Sequence, residues 1–128
     1  MICIVNFKSL MCYKKQLQWL QDIEQLPLNF KLLVAPTLPE HNTYQNYEII
    51  AQNISLAQRT VGEMSANVLK ALDIRYAFVG HLERRKLLNE TTDIIHERLA
   101  NCLNNDMIPI ICLGMHSGPR SEEHTSEL

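Results

Sequence analysis

Residues 76–86, YAFVGHLERRK, place an imidazole, a carboxylate and three cations directly after an apolar run. The run YAFVG has the length and the aromatic and β-branched content of a strand, and no charged residue interrupts it. A strand that is apolar throughout, rather than at alternate positions, predicts a sheet that is covered on both faces. The charged residues therefore follow a buried strand at the point where its carboxyl end meets the next segment.

The same pattern recurs on either side of this stretch. Strand-length apolar runs alternate with segments that carry apolar residues at helical spacing. The predicted strands are residues 2–6, 31–36, 48–53, 76–80 and 108–114. The predicted helices are residues 13–26, 63–73 and 91–106, and the last two begin with serine or threonine caps. Five parallel strands of this kind fit either an open doubly wound sheet or part of a (βα)8 barrel, and periodicity alone does not separate the two.

Composition limits the possible functions. The 128 residues are 46% hydrophobic, which fits one globular domain, and the net charge of −2 gives no general attraction to nucleic acid or to an anionic membrane. The four cysteines show no metal-ligand spacing and read as reduced thiols. No apolar run approaches the roughly 20 residues that a membrane helix requires. We therefore expect a cytoplasmic protein that binds neither nucleic acid nor membrane.

The last residues depart from the alternating pattern. The segment HSGPRSEEHTSEL (116–128) is polar and offers no apolar face to bury. We expect residues 1–115 to form the domain and residues 116–128 to be a disordered, non-native tail.

Polar residues collect where two of the predicted strands end. The first strand runs into Asn6 and Lys8, and strand alternation would place them on the same side if the extended backbone continued that far. His81 and Glu83 follow the fourth strand. Because the carboxyl ends of parallel strands open onto one crevice, a lysine and a histidine there would suit a small anionic substrate whose carbonyl needs polarising.

Each of these residues also has a simpler explanation. A lysine shortly after a strand is most often solvated, and His81 could cap the next helix instead of acting in catalysis. The ERRK run (83–86) would ordinarily form a solvated face. The sequence contains neither a GxGxxG nor a GxxxxGK[ST] phosphate loop, so a nucleotide-binding fold would lack its usual fingerprint.

Several short motifs together resemble triosephosphate isomerase. They occur in the family's order and approximate spacing: NFK (6–8), AQN (51–53), GEMS (62–65), VGHLERR (79–85), NE (89–90) and CLG (112–114). The resemblance covers the N-terminal half of that enzyme, over about residues 1–114. It implies a partial (βα)8 TIM barrel of about four βα units plus a fifth parallel strand.

The resemblance also implies an activity. Triosephosphate isomerases interconvert dihydroxyacetone phosphate and glyceraldehyde 3-phosphate through an enediolate, without a cofactor or metal, in glycolysis and gluconeogenesis. Asn6 and Lys8 match the family's substrate contacts, and His81 matches the electrophile that polarises the carbonyl and moves protons. Glu83 matches a residue that pairs with the lysine, so the implied catalytic residues are His81, Lys8 and Glu83. In this family a helix N-terminus keeps the histidine neutral. This is a known property of the family, and the present sequence does not establish it.

Other matches concern structure and assembly. Glu90 matches a buried structural carboxylate, and Cys112 matches a cysteine that packs below the site. The family is homodimeric, and the segment between Gln52 and Gly62 matches a loop that reaches the second subunit. The implied interface residues are Gln52, Asn53, Glu63 and Arg84. This loop is shorter than usual, and Val61 stands where a threonine commonly reaches across.

Some positions depart from the family pattern. Leu82 replaces a serine that follows the histidine, and Met115 replaces a glutamate. The family's catalytic glutamate belongs to later strands, so we expect the 128-residue chain to be inactive by itself. The alternative is a stand-alone open α/β module that binds a small phosphorylated ligand or a partner without catalysis.

Overall fold

The computed structural model describes residues 1–114. Its strands are β1 (Ile2–Asn6), β2 (Lys31–Ala35), β3 (Glu48–Ile49), β4 (Tyr76–Val79) and β5 (Ile108–Ile111). Its helices are α1 (Tyr13–Glu24), α2 (Ala66–Ala71), α3 (Leu82–Leu87) and α4 (Thr92–Asn104). The expected tail, residues 116–128, and Met115 lie outside the described residues. Within residues 1–114 there is no helix that combines the length and the hydropathy needed to cross a membrane.

All five strands run parallel and follow one another in chain order. β1 pairs with β2 and β2 with β3, while β4 pairs with β5. An isolated bridge between Ala51 and Ala77 joins the two groups: the Ala51 amide donates to Tyr76 O at 2.9 Å, and the Phe78 amide donates to Ala51 O at 3.0 Å. A doubly wound sheet reverses its strand order at a switch point, and this order does not reverse. The arrangement is therefore that of a barrel wall, which is not closed within the described residues.

The helices cover only one face of this sheet. Leu20 of α1, Leu69 of α2 and Cys102 of α4 are fully buried against Val34 and Val79 of the strands. The opposite face holds a smaller apolar cluster whose buried members all come from strands or the residue after a strand: Leu33, Ala35, Ile50 and Phe78. The apolar runs had predicted a sheet covered on both faces, but within residues 1–114 no helix contributes to this second cluster. We call it the inner face.

Local signals at the helix ends agree with the structure. The Ser65 hydroxyl accepts from the Val68 amide, and the Thr91 hydroxyl accepts from the Ile94 amide, each at 3.3 Å. Both predicted caps are confirmed. The third strand is shorter than predicted because the chain changes partner at this point: Ile49 still pairs with β2, whereas Ala51 pairs with β4.

Candidate active site

A groove of about 290 Å³ lies at the carboxyl end of the sheet. Asn6 and Lys8 reach it from β1, and His81 and Glu83 reach it from β4 and the start of α3. The structure thus brings together the two pairs of polar residues that the sequence separates by more than 70 positions. The remaining lining residues are Ser9, Gln52, Arg84, Leu87 and Leu88.

Lys8 reaches the groove by a different backbone path from the one that alternation predicts. β1 ends at Asn6, and Lys8 has a φ of 54°, in the left-handed region that few non-glycine residues adopt. The Asn6 side-chain oxygen accepts from the Lys8 amide at 2.8 Å, which stabilises this turn. Extended geometry does not persist to Lys8, so the condition on which alternation would place the two side chains on the same side is not met.

Gln52 stabilises the turn at Lys8. Its side-chain nitrogen lies 2.8 Å from Lys8 O, 3.0 Å from Pro36 O and 3.4 Å from Ala35 O, within donating distance of all three. The Thr37 hydroxyl also donates to Lys8 O, at 2.8 Å. A left-handed lysine costs of the order of 1–3 kcal/mol and persists only when its surroundings hold it. Gln52 and Thr37 provide that support by joining the ends of the first three strands.

Lys8 and Glu83 form an ion pair across the groove. Lys8 Nζ lies 2.6 Å from Glu83 Oε1, and the two side chains are 34% and 46% exposed. The hydrogen bond from the Lys8 ammonium, together with its charge, lowers the pKa of Glu83. The pairing that the resemblance implied is therefore present. Glu83 remains ionised and engaged with the lysine at neutral pH.

His81 occupies the N-cap of α3 and also lines the groove. Its Nδ1 accepts from the Glu83 amide at 3.1 Å, so the neutral ring carries its proton on Nε2. Burial lowers the pKa of His81; Glu83 opposes this shift, and the charges of Lys8 and Arg84 add to it. The histidine is therefore neutral at pH 7 and keeps Nε2–H as a donor. The capping role and a catalytic role are compatible, because they use different ring nitrogens.

Arg85 links the carboxyl ends of β4 and β5 near this histidine. Its Nε donates to Gly80 O at 2.8 Å, and its Nη2 donates to Cys112 O at 3.1 Å. Gly80 has a φ of 78°, and a Cβ at this position would lie 2.8 Å from Arg85 Nη2. Glycine thus allows both the left-handed turn before His81 and the close approach of the guanidinium.

A second group of charges adjoins the groove, which one of its members, Arg84, also lines, and we call it the buried ion cluster. It consists of Glu63, Arg84, Glu90 and Arg98. Arg84 Nε donates to Glu90 Oε2 at 2.9 Å, and Arg98 pairs closely with Glu63. Arg98 Nε lies 3.3 Å from Glu90 Oε1, within ion-pair distance but too poorly aligned for a hydrogen bond. The Glu90 and Arg98 side chains are only 3% and 7% exposed.

The cluster also anchors the segment after β3. Arg98 Nη1 donates to Ile54 O, and Asn101 Nδ2 donates to Ser55 O, both at 2.8 Å. Burial acts to raise the pKa of Glu63, but hydrogen bonds from Thr60 and Arg98 and the two arginine charges outweigh it, so the pKa is lowered. Glu63 is therefore an ionised member of the cluster at neutral pH.

The expected interface residues make contacts within the chain. Glu63 and Arg84 belong to the buried ion cluster, with 3.7 Å between Arg84 Nη2 and Glu63 Oε1. Asn53 Nδ2 lies 3.4 Å from the same carboxylate oxygen, and Gln52 supports Lys8. Sequence reasoning missed Arg98 and the roles of Gln52 and Arg85. Charged residues on an amphipathic helix, such as Arg98, normally read as solvated, and nothing local marks one as buried.

The comparisons with known proteins agree with this geometry. A sequence model of the family described as "Triosephosphate isomerase" matches residues 1–128. This chain belongs to the triosephosphate isomerase family. The one-sided parallel sheet in chain order is accordingly part of a TIM barrel. Three of the motifs that carried the resemblance, NFK, AQN and VGHLERR, contribute residues that line the groove.

Individual members of the family show how much of this chain and of each relative the match covers. The triosephosphate isomerase of Flavobacterium psychrophilum is 33% identical over 102 residues, which are 72% of this chain and 41% of that protein. That of Prochlorococcus marinus subsp. pastoris is 33% identical over 110 residues, or 79% and 46%. That of Orientia tsutsugamushi (strain Boryong) is 42% identical over 72 residues, or 53% and 29%. The chain thus spans less than half the length of these relatives.

Proposed function

We propose that this chain carries the electrophilic half of a triosephosphate isomerase active site, for the interconversion of dihydroxyacetone phosphate and glyceraldehyde 3-phosphate. The observation that carries the proposal is the convergence of Asn6, Lys8, His81 and Glu83 on one groove. The isomerisation belongs to glycolysis and gluconeogenesis. The free thiols of Cys3, Cys12, Cys102 and Cys112 support a cytoplasmic location, where thiols stay reduced.

The proposed chemistry uses the proton positions described above. His81 donates its Nε2–H to the substrate carbonyl and stabilises the oxyanion that forms when a neighbouring C–H proton is removed. A neutral imidazole can also return protons between the two enediolate oxygens. The Lys8 ammonium stabilises the negative charge of substrate and enediolate, and Glu83 fixes its position. Asn6 sets the Lys8 turn and lines the same groove.

We further propose that the 128-residue chain does not catalyse the reaction by itself. Removal of the substrate proton needs a carboxylate that is free to accept it. Among residues 1–114, Glu83 is the one carboxylate that lines the groove, and it is paired with Lys8. General base catalysis is typically worth about 10²–10⁴-fold, so a chain without a free base would turn over slowly at best.

We propose that the enzyme is a homodimer in which the segment between Gln52 and Gly62 contacts the partner subunit. Val61 in this segment is 98% exposed, and Leu87 and Leu88 at the rim of the groove are also exposed. Exposed apolar side chains next to a polar site are typical of a surface that a partner covers. Arg84 and Glu63 support this segment from within the chain and do not themselves need to cross the interface.

A chimera tests the isomerase proposal. Residues 1–114 of this chain replace the matching part of the Flavobacterium psychrophilum triosephosphate isomerase, and isomerisation of glyceraldehyde 3-phosphate is measured. We expect an active chimera whose kcat falls about 10²–10⁴-fold in the His81→Gln variant, because the electrophile and proton carrier is lost. His96→Gln is the matched control, since His96 lies exposed on α4, and it should leave kcat unchanged.

The 128-residue chain is assayed beside the chimera. No turnover is expected, and turnover near that of the chimera would refute the inactivity of the chain. A folded chimera in which His81→Gln and His96→Gln behave alike would refute the role of His81. If the chain instead binds inorganic phosphate saturably and the chimera is inactive, the non-catalytic binding module is the better description.

A further inference from the structure

The ladder between β4 and β5 ends two residues before His81. Its last hydrogen bond runs from the Cys112 amide to Val79 O, at 3.0 Å. Val79 and Ile111 are the last pair in register, so Gly80 and Cys112 would form the next pair if both strands continued. The chain leaves the strand at Gly80 instead, where φ is 78°. The carbonyls of Gly80 and Cys112 therefore need partners from outside the ladder.

One side chain, that of Arg85, bonds to both of these carbonyls. Nε donates to Gly80 O at 2.8 Å, and Nη2 donates to Cys112 O at 3.1 Å. Nε–H and Nη2–H lie along one edge of the planar guanidinium, so their spacing and direction are fixed. Hydrogen bonds from a charged donor are also stronger than those between neutral groups. The guanidinium thus continues the link between β4 and β5 one residue beyond their last pair.

Arg85 also bonds to the peptide group that follows His81. Its backbone amide donates to His81 O at 3.2 Å, in the first turn of α3. The peptide groups before and after His81 are therefore both bonded to the same residue. The ring has a third restraint, because Nδ1 accepts from the Glu83 amide at 3.1 Å. Together these bonds restrain the backbone on either side of the imidazole and one of its nitrogens, and with them the direction of Nε2–H.

The guanidinium packs directly against the backbone before the histidine. A Cβ on Gly80 would lie 2.8 Å from Arg85 Nη2 and 3.4 Å from Ile95 Cγ2. Ile95 is itself only 7% exposed, so Gly80 is enclosed between α4 and the arginine. A lysine at position 85 would bring one compact ammonium on a flexible stem, which cannot reproduce two donors at a fixed spacing. The shape of the arginine side chain is therefore needed here as well as its charge.

We propose that Arg85 is a positioning residue for His81, and that its forked guanidinium, not its positive charge alone, directs Nε2–H into the groove. The inference rests on the proposed isomerase function, in which that proton is donated to the substrate carbonyl. Arg85 is not among the residues within 1–114 that line the groove, so it acts through His81 and not on the substrate. A misplacement of about 1 Å at a reacting group can cost about 10²-fold in rate.

Two substitutions in the chimera separate the fork from the charge. Arg85→Met removes both, whereas Arg85→Lys keeps the charge without the fork. We expect both variants to lose kcat by about 10–10²-fold while KM changes by less than about twofold, because Lys8 still binds the anionic substrate. Retention of kcat in Arg85→Lys would overturn the proposal and would assign Arg85 a purely electrostatic role.

Asn46→Ala is the matched control for a general loss of stability. The Asn46 side chain also bridges two carbonyls, those of Ile23 and Leu26, but it lies before the amino end of β3, away from the groove. The substitution should lower the melting temperature of the chimera about as much as Arg85→Met and leave kcat unchanged. An equal fall of kcat in Asn46→Ala would reduce the effect of Arg85 to stability alone and would overturn the proposal.

Nitrogen NMR of the His81 ring provides a readout that does not depend on turnover. In the wild-type 128-residue chain the ring should carry its proton on Nε2. In Arg85→Met and Arg85→Lys a mixture with the Nδ1–H tautomer should appear, because the Glu83 amide no longer meets Nδ1 in the same geometry. A ring that keeps the Nε2–H form in both variants would overturn the positioning role. An inactive chimera with a tautomer that responds to Arg85 would overturn the isomerase function alone.

Discussion

The Lys8–Glu83 pair and the buried ion cluster use the same kinds of charged group at different depths. The groove pair is between a third and a half exposed, whereas Glu90 and Arg98 are almost fully buried. Water screens the first pair and holds its contribution to stability near 0–1 kcal/mol. Within the cluster, removal of one partner leaves the others buried and uncompensated. The groove pair is therefore suited to set the charge inside the groove. The buried ion cluster is suited to hold the segments around the groove in place.

The largest effect is expected at Glu90. Glu90→Gln leaves Arg84 and Arg98 without their most buried counter-charge, and we expect the free energy of unfolding to fall by about 3–5 kcal/mol. Urea unfolding followed by circular dichroism measures this loss. Glu97→Gln, on the exposed side of α4, should change stability by less than about 0.5 kcal/mol. Equal losses of stability in the two variants would show that the buried Glu90 contributes no more to stability than the exposed Glu97.

Glu63 should give a smaller loss that depends on pH. Because its folded pKa is lowered below the ordinary value of 4.5, its contribution is complete above that value and disappears as pH falls through the folded pKa. At pH 7, Glu63→Gln should cost about 1.5–3 kcal/mol, as for a hydrogen bond to a charged group. The free energies of unfolding of the wild type and of Glu63→Gln are measured between pH 3 and 7. The difference between them should shrink toward pH 3. A difference that is constant over this range would contradict the lowered pKa.

Gln52 supports the backbone at Lys8, and its replacement should have a smaller effect than that of Glu63. Gln52→Leu removes the donor to Lys8 O but leaves the Thr37 hydroxyl in place, so the expected loss is about 1 kcal/mol. Amide hydrogen exchange at residues 7–9 should also accelerate, because the left-handed turn at Lys8 loses support. Gln18→Leu, on the exposed face of α1, serves as the control and should change neither quantity.

The smallest effect on stability is expected in the groove. Glu83→Gln should change the free energy of unfolding by less than about 1 kcal/mol, because the pair is half-exposed. It should still lower the pKa of His81 further, since the Glu83 charge favours the imidazolium, whereas Lys8→Met should raise that pKa. Proton NMR titration of His81 measures both shifts, with Lys86→Met as the exposed control. Shifts of the same sign in the two variants would contradict this account.

Much of the fold could be predicted from the sequence because its signals are local. The apolar runs locate all five strands, since a buried strand must be apolar wherever it is covered. Ser65 and Thr91 mark helix starts, since a cap satisfies amides only three residues away. Asn6, Lys8, His81 and Glu83 were also found as candidate site residues. They stand at the end of a strand or shortly after it, where parallel sheets collect polar groups.

The sequence by itself located the five strands and the helices α1, α2 and α4, and it indicated which polar residues meet at one end of the sheet; the short helix α3 was not among the predicted helices. Periodicity left the choice between a doubly wound sheet and a barrel wall open; the resemblance implied the barrel, and the strand order in the tertiary structure agrees with it. Only the tertiary structure decided that Arg98 reaches a carbonyl 44 residues away and that Gln52 supports a left-handed Lys8. Periodicity and capping act over a few residues, whereas partners in an ion cluster or a strand edge are set by how distant segments pack.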